Sequence, residues 1–439
     1  MSEYRFSAHT AVAIIVANMV GTGVFVSLGF QLLEIQSPFV LIMLWLVGGV
    51  TALCGALTYA ELGANLPRSG GEYNFLSQIY HPSLGFISGW VSVTVGFAAP
   101  TALVAMTFAA YLGRSFSVLS EVVMAVALVV VLACFHCISR RASGATQTVF
   151  TAIKIVLIVT FVTAVFLLAD TPQSISLTPE QGDWKMIFSG TFAVALIYVN
   201  YAYTGWNAAT YVTGELEHPQ RRLPWILLIG TSIVLVLYLL LNYAFLYAAP
   251  MSALAGQQDL GVITAKFAFG DQIATVVAVA LALLFVSTVS AMTMAGPRVL
   301  QVLGEDFSAF RFLAKTNRHG VPVSAIGFQS TLAVLFILTA SFEFILLFTG
   351  FVLALNTLFV VLGVFILRWQ GRSQQMLYRT WGYPVTPLIY LAITGWTLVY
   401  ILITRPEEAL AGLAIIGLGG LCYAVVSASP ADEKNNVKD

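Results

Sequence analysis

The chain has 439 residues, with 20 Lys and Arg balanced by 20 Asp and Glu, and only 9% of its residues are charged while 59% are hydrophobic. That mixture is far from a soluble one, and apolar runs of eighteen or more residues recur along the whole length, so the chain reads as an all-α polytopic membrane protein. Barrel-type alternation is absent, no soluble domain of useful size fits between the runs, and no low-complexity or nucleic-acid-binding segment appears.

Twelve transmembrane helices are expected at roughly 7–33, 38–62, 83–112, 119–138, 148–169, 187–213, 223–249, 272–303, 322–340, 344–369, 385–404 and 408–427, to within a few residues. The first follows a single Arg5 and has no clear cleavage site, so it reads as a retained helix rather than a signal peptide. Near its middle stand Gly21-Thr22-Gly23. Glycine lowers the cost of leaving helical geometry, and the backbone groups freed there are tolerated only against protein or a water-filled cavity. Taken alone, the stretch fits close helix packing through small residues equally well. The fifth helix carries Lys154 about two turns from its start. One reading is a side chain snorkelling to the interface; the other is an ammonium bonded to helix carbonyls, as a fixed replacement for sodium or a proton carrier.

The sixth helix holds Asn200-Tyr201-Ala202-Tyr203-Thr204-Gly205-Trp206-Asn207, a lone glycine among polar and aromatic residues and again poor lipid-facing helix. Two interrupted helices at matching positions of two five-helix halves point to an inverted-repeat transporter with its site between the breaks. The chain then divides as one transporter domain into a first repeat (7–169), a second repeat (187–369), two additional helices (385–427) and a polar tail (428–439). Residues 251–271 have room for a short surface helix.

Lys and Arg crowd the loops on one side: Arg5, Arg68, Arg140, Arg141, Arg221, Arg222, Arg298, Arg311, Lys315, Arg318, Arg368, Arg372, Arg379, Lys434 and Lys438, against Arg114, Lys185, Lys266 and Arg405 on the other. By the positive-inside rule both termini are cytoplasmic in a plasma-membrane protein. The inner loops 64–81, 304–320 and 368–384 read as solvated segments obeying that rule. Cys54, Cys134, Cys137 and Cys422 all lie in or at the ends of apolar spans, without a metal-ligand spacing, so no disulfide, metal or cofactor is expected. No carboxylate is placed deep in a span, and His9, His81, His136, His218 and His319 form no catalytic cluster, which disfavours an intramembrane enzyme.

Unwinding a helix at mid-membrane exposes N–H groups where the next half starts and C=O groups where the previous half ends. The former attract anions and the latter cations, so a zwitterionic α-amino acid fits two facing breaks. The N–H groups around Gly21, Thr22 and Gly23 are assigned the carboxylate. Carbonyls near Met19 and in Tyr201, Ala202 and Thr204 are assigned the ammonium, and Tyr201 is a candidate gate over the ligand.

Gly21-Thr22-Gly23-Val24-Phe25-Val26 resembles the broken first helix of the amino acid–polyamine–organocation superfamily. Tyr201-Ala202-Tyr203-Thr204-Gly205-Trp206-Asn207, with Tyr211-Val212-Thr213-Gly214-Glu215, is similar to the sixth helix of L-type amino-acid transporters. The stretch from Tyr59-Ala60-Glu61-Leu62-Gly63 to Arg68-Ser69-Gly70-Gly71-Glu72-Tyr73 resembles that group's second helix and first inner loop, and Pro297-Arg298 and residues 380–405 fit later parts. The resemblance covers nearly the whole chain. It implies a five-plus-five inverted repeat with two further helices, sodium-independent amino-acid transport and alternating access. It also implies that Lys154 stands near the place sodium occupies in sodium-driven relatives and that Asn207 ties the sixth helix to the site. The outer loop at 113–119 has no cysteine, so no disulfide-linked heavy subunit is expected. Tyr201 and Thr204 stand where that group often has phenylalanine and a smaller residue. The reading is therefore an exchanger or proton-linked uptake system for neutral amino acids; an antiporter for cationic amino acids or amines is the alternative.

Overall fold

The computed structural model describes residues 7–66, 70–113, 119–138, 145–169, 172–216, 218–318, 320–371 and 378–427. Arg5, Arg68, Arg114, Arg140, Arg141, Arg372, Lys434 and Lys438 of the charge pattern, His319, most of the outer loop at 113–119 and the tail 428–439 lie outside the described residues.

Every regular element among the described residues is helical. The first span is two half-helices, α1 (Ala8–Met19) and α2 (Gly23–Gln31). Then follow α3 (Pro38–Asn65), α4 (Gly71–Ile79), α5 (Pro82–Gly113, with a π-helical turn at Ser92–Phe97), α6 (Glu121–Ile138) and α7 (Ala145–Leu168). The sixth span is α8 (Gly190–Tyr203), an interruption, and a 3-10 segment (Ala208–Glu215). The remainder is α9 (Pro219–Ala248), α10 (Leu260–Phe269), α11 (Asp271–Asp306), α12 (Val323–Thr339), α13 (Phe342–Trp369), α14 (Val385–Thr404) and α15 (Pro406–Ser427). Helical elements thus occupy each of the twelve expected places, and among the described residues nine helices are long and apolar enough to cross a bilayer.

Several starts are written locally. Ser7, Ser37, Ser189 and Ser341 each accept a hydrogen bond from the backbone N–H three residues on, at 3.2–3.3 Å, capping α1, α3, α8 and α13. In lipid, where no water can replace such a bond, the cap weighs more than on a soluble helix.

The most extensive helix pairing is α3 along α9, followed by α5 against α11. In a five-plus-five count these are the second and seventh spans and the third and eighth. Apolar side chains on α6, α14 and α15, such as Val131, Ile403, Leu421 and Val425, point outward and give those helices their lipid-facing surface.

Three loops differ from expectation. The 251–271 segment, with room for a short surface helix, instead holds α10, which buries Leu260, Val262, Ile263 and Ala265 because it packs on α11 and α9 and meets the end of α2, near where Gly256 N–H donates to Gly29 O at 2.7 Å. The loop at 64–81 folds into α4, with Glu72, Asn74 and Phe75 buried rather than solvated. Arg368, read as a loop-side charge, makes a bidentate pair with the fully buried Glu61 (2.7 and 2.8 Å) and lies 3.6 Å over the Tyr383 ring. Thr380 donates to the same carboxylate through its N–H and its hydroxyl, both at 2.6 Å. A planar guanidinium suits this fork, and the added donors satisfy the remaining lone pairs of a carboxylate that burial would otherwise penalise.

Candidate substrate site

The first break is a tight turn. Val20 adopts φ −74°, ψ 79°, and Gly21 N–H donates back to Met19 O at 2.8 Å, which is an inverse γ-turn. α2 starts immediately afterwards. The N–H groups of Thr22 and Gly23 donate to no backbone carbonyl among the described residues. These are the orphan donors of a helix N-terminus, carrying the positive end of its dipole.

The second break is built differently. Thr204 is extended (φ −54°, ψ 139°) and Gly205 has φ +107°, the combination a type II turn uses with glycine at its second central position. The chain then continues as the 3-10 segment rather than an α-helix.

The two breaks lie in contact. A Cβ added to Gly23 would fall 2.6 Å from the Cα of Ala202, and one added to Gly205 would fall 2.9 Å from the carbonyl carbon of Asn18. Backbone therefore meets backbone at two points, one on each side of the crossing. Tyr238, from the middle of α9, adds a bridge: its hydroxyl lies 2.5 Å from Met19 O and 3.0 Å from Ala202 O, so one phenol serves carbonyls at the ends of both α1 and α8. Since Met19 O also accepts from Gly21, both of its lone pairs are engaged in this conformation. Tyr201 O accepts from Thr204 N–H at 3.0 Å, whereas the Thr204 carbonyl accepts from no backbone donor among the described residues. Tyr201 and Thr22 are both buried.

Lys154 stands beside the first break. It is nine residues into α7, about 14 Å along the helix at 1.5 Å per residue, and only 4% exposed. Its ammonium donates to Thr288 Oγ1 of α11 at 2.7 Å. A snorkelling lysine would put its head group in water, and this one does not. Lys154 and Thr288 line one small cavity with Val20, Gly21, Phe25 and Phe285; it has ≈ 10 Å³ of space for the centre of a water molecule. That volume suits a single water and no amino acid.

The routes to the breaks differ on their two sides. Toward α2 the structure is closed: Phe30 is stacked between Tyr198 and Phe342 with 5.8 Å between centroids on each face. Tyr198 donates to Glu343 at 2.8 Å, and Arg405 pairs with the same carboxylate. Toward α1 the Asn18 side chain is exposed. A polar side chain exposed at the end of a mid-membrane half-helix implies a wet passage rather than lipid.

The structure thus brings Met19, Gly21, Thr22, Gly23, Tyr201, Ala202 and Thr204 together, with Lys154 adjoining. Asn207 faces away from this group and donates to Glu72. Sequence reasoning missed Tyr238, Thr288 and Glu72. A tyrosine in the leucine run of α9 was the available signal for the first, since its hydroxyl needs a partner at that depth.

Comparison with known proteins gives a consistent picture. A family profile described as amino acid permease matches residues 6–429. The chain is 27% identical over 420 residues to the serine/threonine exchanger SteT of Bacillus subtilis (strain 168), covering 94% of each protein. It is 27% identical over 436 residues to the large neutral amino acids transporter small subunit 2 of Mus musculus, covering 94% of this chain and 79% of the relative. The mouse b(0,+)-type amino acid transporter 1 is 24% identical over 430 residues, covering 94% and 86%.

Proposed function

The chain belongs to the amino acid permease family, a family of transporters rather than enzymes, and on that premise we propose that it exchanges neutral amino acids across the plasma membrane by alternating access, without sodium. The observation that carries this reading is the pair of free N–H groups at Thr22 and Gly23, facing a second break that supplies the Thr204 carbonyl. An α-carboxylate is received at the opening of α2 and the α-ammonium beyond it, so the backbone recognises what all amino acids share. Lys154 supplies a fixed positive charge beside the first break, which supports independence from sodium. The exposed Asn18 and the stacked Phe30 support a conformation open to the cytoplasm and closed outside, with both termini cytoplasmic.

The names of the exchanger from B. subtilis and the mouse neutral transporter support exchange of neutral substrates. Two buried carboxylates are already committed, Glu61 to Arg368 and Thr380, and Glu72 to neutral donors, which weighs against a cationic side chain. The pairing of α3 with α9 and of α5 with α11 supports two inverted repeats over 7–169 and 187–369, followed by two additional helices. The outer loop at 113–119 has no cysteine, which supports function without a disulfide-linked heavy subunit.

Counterflow tests the reading. Liposomes holding the purified protein and loaded with unlabelled L-alanine, L-serine or L-leucine are expected to accumulate the labelled amino acid transiently, equally with sodium or choline outside. Ethylamine, which lacks the carboxylate of alanine, is expected not to drive counterflow. Sodium-dependent uptake, or ethylamine as effective as alanine, defeats the proposal.

A further inference from the structure

Glu72 lies outside the contacts so far assigned to substrate, yet it is joined to the second break. It is 2% exposed and sits at the second position of α4. Its carboxylate accepts hydrogen bonds from the Asn207 side-chain amide, from the Tyr211 hydroxyl (2.6 Å) and from the Tyr59 hydroxyl (3.2 Å). Among the described residues these partners are neutral donors, in contrast to Glu61, which is matched by an arginine. A buried carboxylate whose partners among the described residues are three neutral donors is held for its geometry as an acceptor.

The element bearing Glu72 is fixed at several points. Tyr73 donates to Asp306 at the end of α11 (2.7 Å), Asn74 to Leu66 O after α3 (3.3 Å), and Tyr80 to Phe359 O of α13 (2.7 Å). Gly71, at φ +53°, lies so close to Tyr211 that an added Cβ would be 2.6 Å from the ring. α4 is therefore a bracket tied to three long helices. The chain beyond the second break is tied to that bracket: Asn207 and Tyr211 bond Glu72, and the Trp206 ring packs edge-on against Tyr59 at 4.6 Å.

Thr204 and Gly205 form a turn with two ends. α8 holds one; the Glu72 cluster grips the other, beginning one residue after Gly205. We propose that Glu72 is a positioning residue for amino-acid binding, which sets the second break by anchoring Asn207 and Tyr211 to α4. This rests on the transport reading above. Without the acceptor, the 208–215 segment is free to shift relative to α4, and the Thr204 carbonyl and the Gly205–Asn18 contact lose their fixed reference.

The experiment is saturation binding to purified full-length protein, using a radiolabelled neutral amino acid that the wild type exchanges (L-alanine, L-serine or L-leucine). Structural damage lowers the number of sites; mispositioning raises Kd. Glu72→Ala is expected to raise Kd about tenfold, the scale of a lost hydrogen bond to a charged acceptor, in the sites that remain. Glu72→Gln can still accept from Asn207 and Tyr59 and can donate to the Tyr211 hydroxyl, so its Kd is expected within about threefold of wild type. Tyr211→Phe removes one donor, keeps the ring, and is expected to raise Kd about threefold; it decides the matter if Glu72→Ala does not fold. Wild-type Kd in Glu72→Ala, or in Tyr211→Phe where the alanine variant fails, overturns the proposal. So does a glutamine variant as impaired as alanine, which would assign Glu72 a charge role. A wild type that exchanges none of the three amino acids overturns the transport reading and this one with it.

Discussion

The first break turns through Val20 and Gly21 with no residue at positive φ, while the second depends on Gly205 at φ +107°. Among the described residues the first leaves donors without a backbone partner, because a helix begins directly after it; the second leaves a carbonyl without one, because Thr204 is extended before the chain resumes as a 3-10 segment. Their glycines also differ in kind. Gly21 has open space around it, with only Met19 O near an added Cβ, at 3.9 Å, whereas Gly23 and Gly205 are pressed against the backbone of the opposite break. Two interruptions that look alike in composition are therefore complementary in polarity, one suited to an anion and the other to a cation. Only some of their glycines are required by the crossing.

The sharpest way to break that comparison is to add single methyl groups. Gly205→Ala places a side chain at a φ that costs an L-residue about 1–2 kcal/mol, and against Asn18 besides, so exchange in proteoliposomes is expected to fall about a hundredfold. Gly23→Ala is expected to be nearly as damaging, since Ala202 Cα cannot move as a flexible side chain would. Gly21→Ala is expected to stay within about threefold of wild type. Equal tolerance at all three positions would mean that the breaks do not pack as described.

Next in size is Lys154→Ala, which leaves Thr288 and the first break without the ammonium and is expected to slow exchange about tenfold while changing equilibrium binding less. Normal exchange by this variant would reduce the lysine to a packing role. Tyr201→Ala is expected to depress exchange to a similar extent with folded protein preserved, and Tyr201→Phe, which keeps the buried ring, to keep much of it. If Tyr201→Ala exchanges normally, the residue packs and does not gate.

The smallest effect sharpens the comparison rather than testing its existence. Tyr238→Phe removes a hydroxyl shared by the ends of α1 and α8, and a several-fold loss of exchange is expected, on the scale of about 1 kcal/mol for one hydrogen bond. Competition assays would show whether that loss falls on amino acids as a class, as a shared backbone bridge requires, or on particular side chains, as a specificity pocket would.

Much of this was legible in the residues. Hydropathy placed the spans because a bilayer leaves a chain few alternatives to helix, and glycines at mid-span marked the breaks because unpaired backbone polar groups cannot face lipid. Lys154 stood out for the same reason, as a charge where charges are expensive. Tyr238, Thr288 and Glu72 did not, because each acquires its role from a partner far away in the chain: Met19 lies 219 residues from Tyr238, Lys154 lies 134 from Thr288, and Asn207 lies 135 from Glu72.

The sequence by itself determined the solvent, the helices and the two places where helix must stop, since these depend on local composition and on the bilayer's refusal to hydrogen-bond. Only the tertiary structure decided that the two breaks cross backbone to backbone, that Lys154 points to α11 instead of the interface, and that Glu72, in a loop between the second and third spans, is buried against the sixth span. Those outcomes are set by which distant donors and acceptors packing brings within about 3 Å of one another, and hydropathy along a chain does not encode that distance.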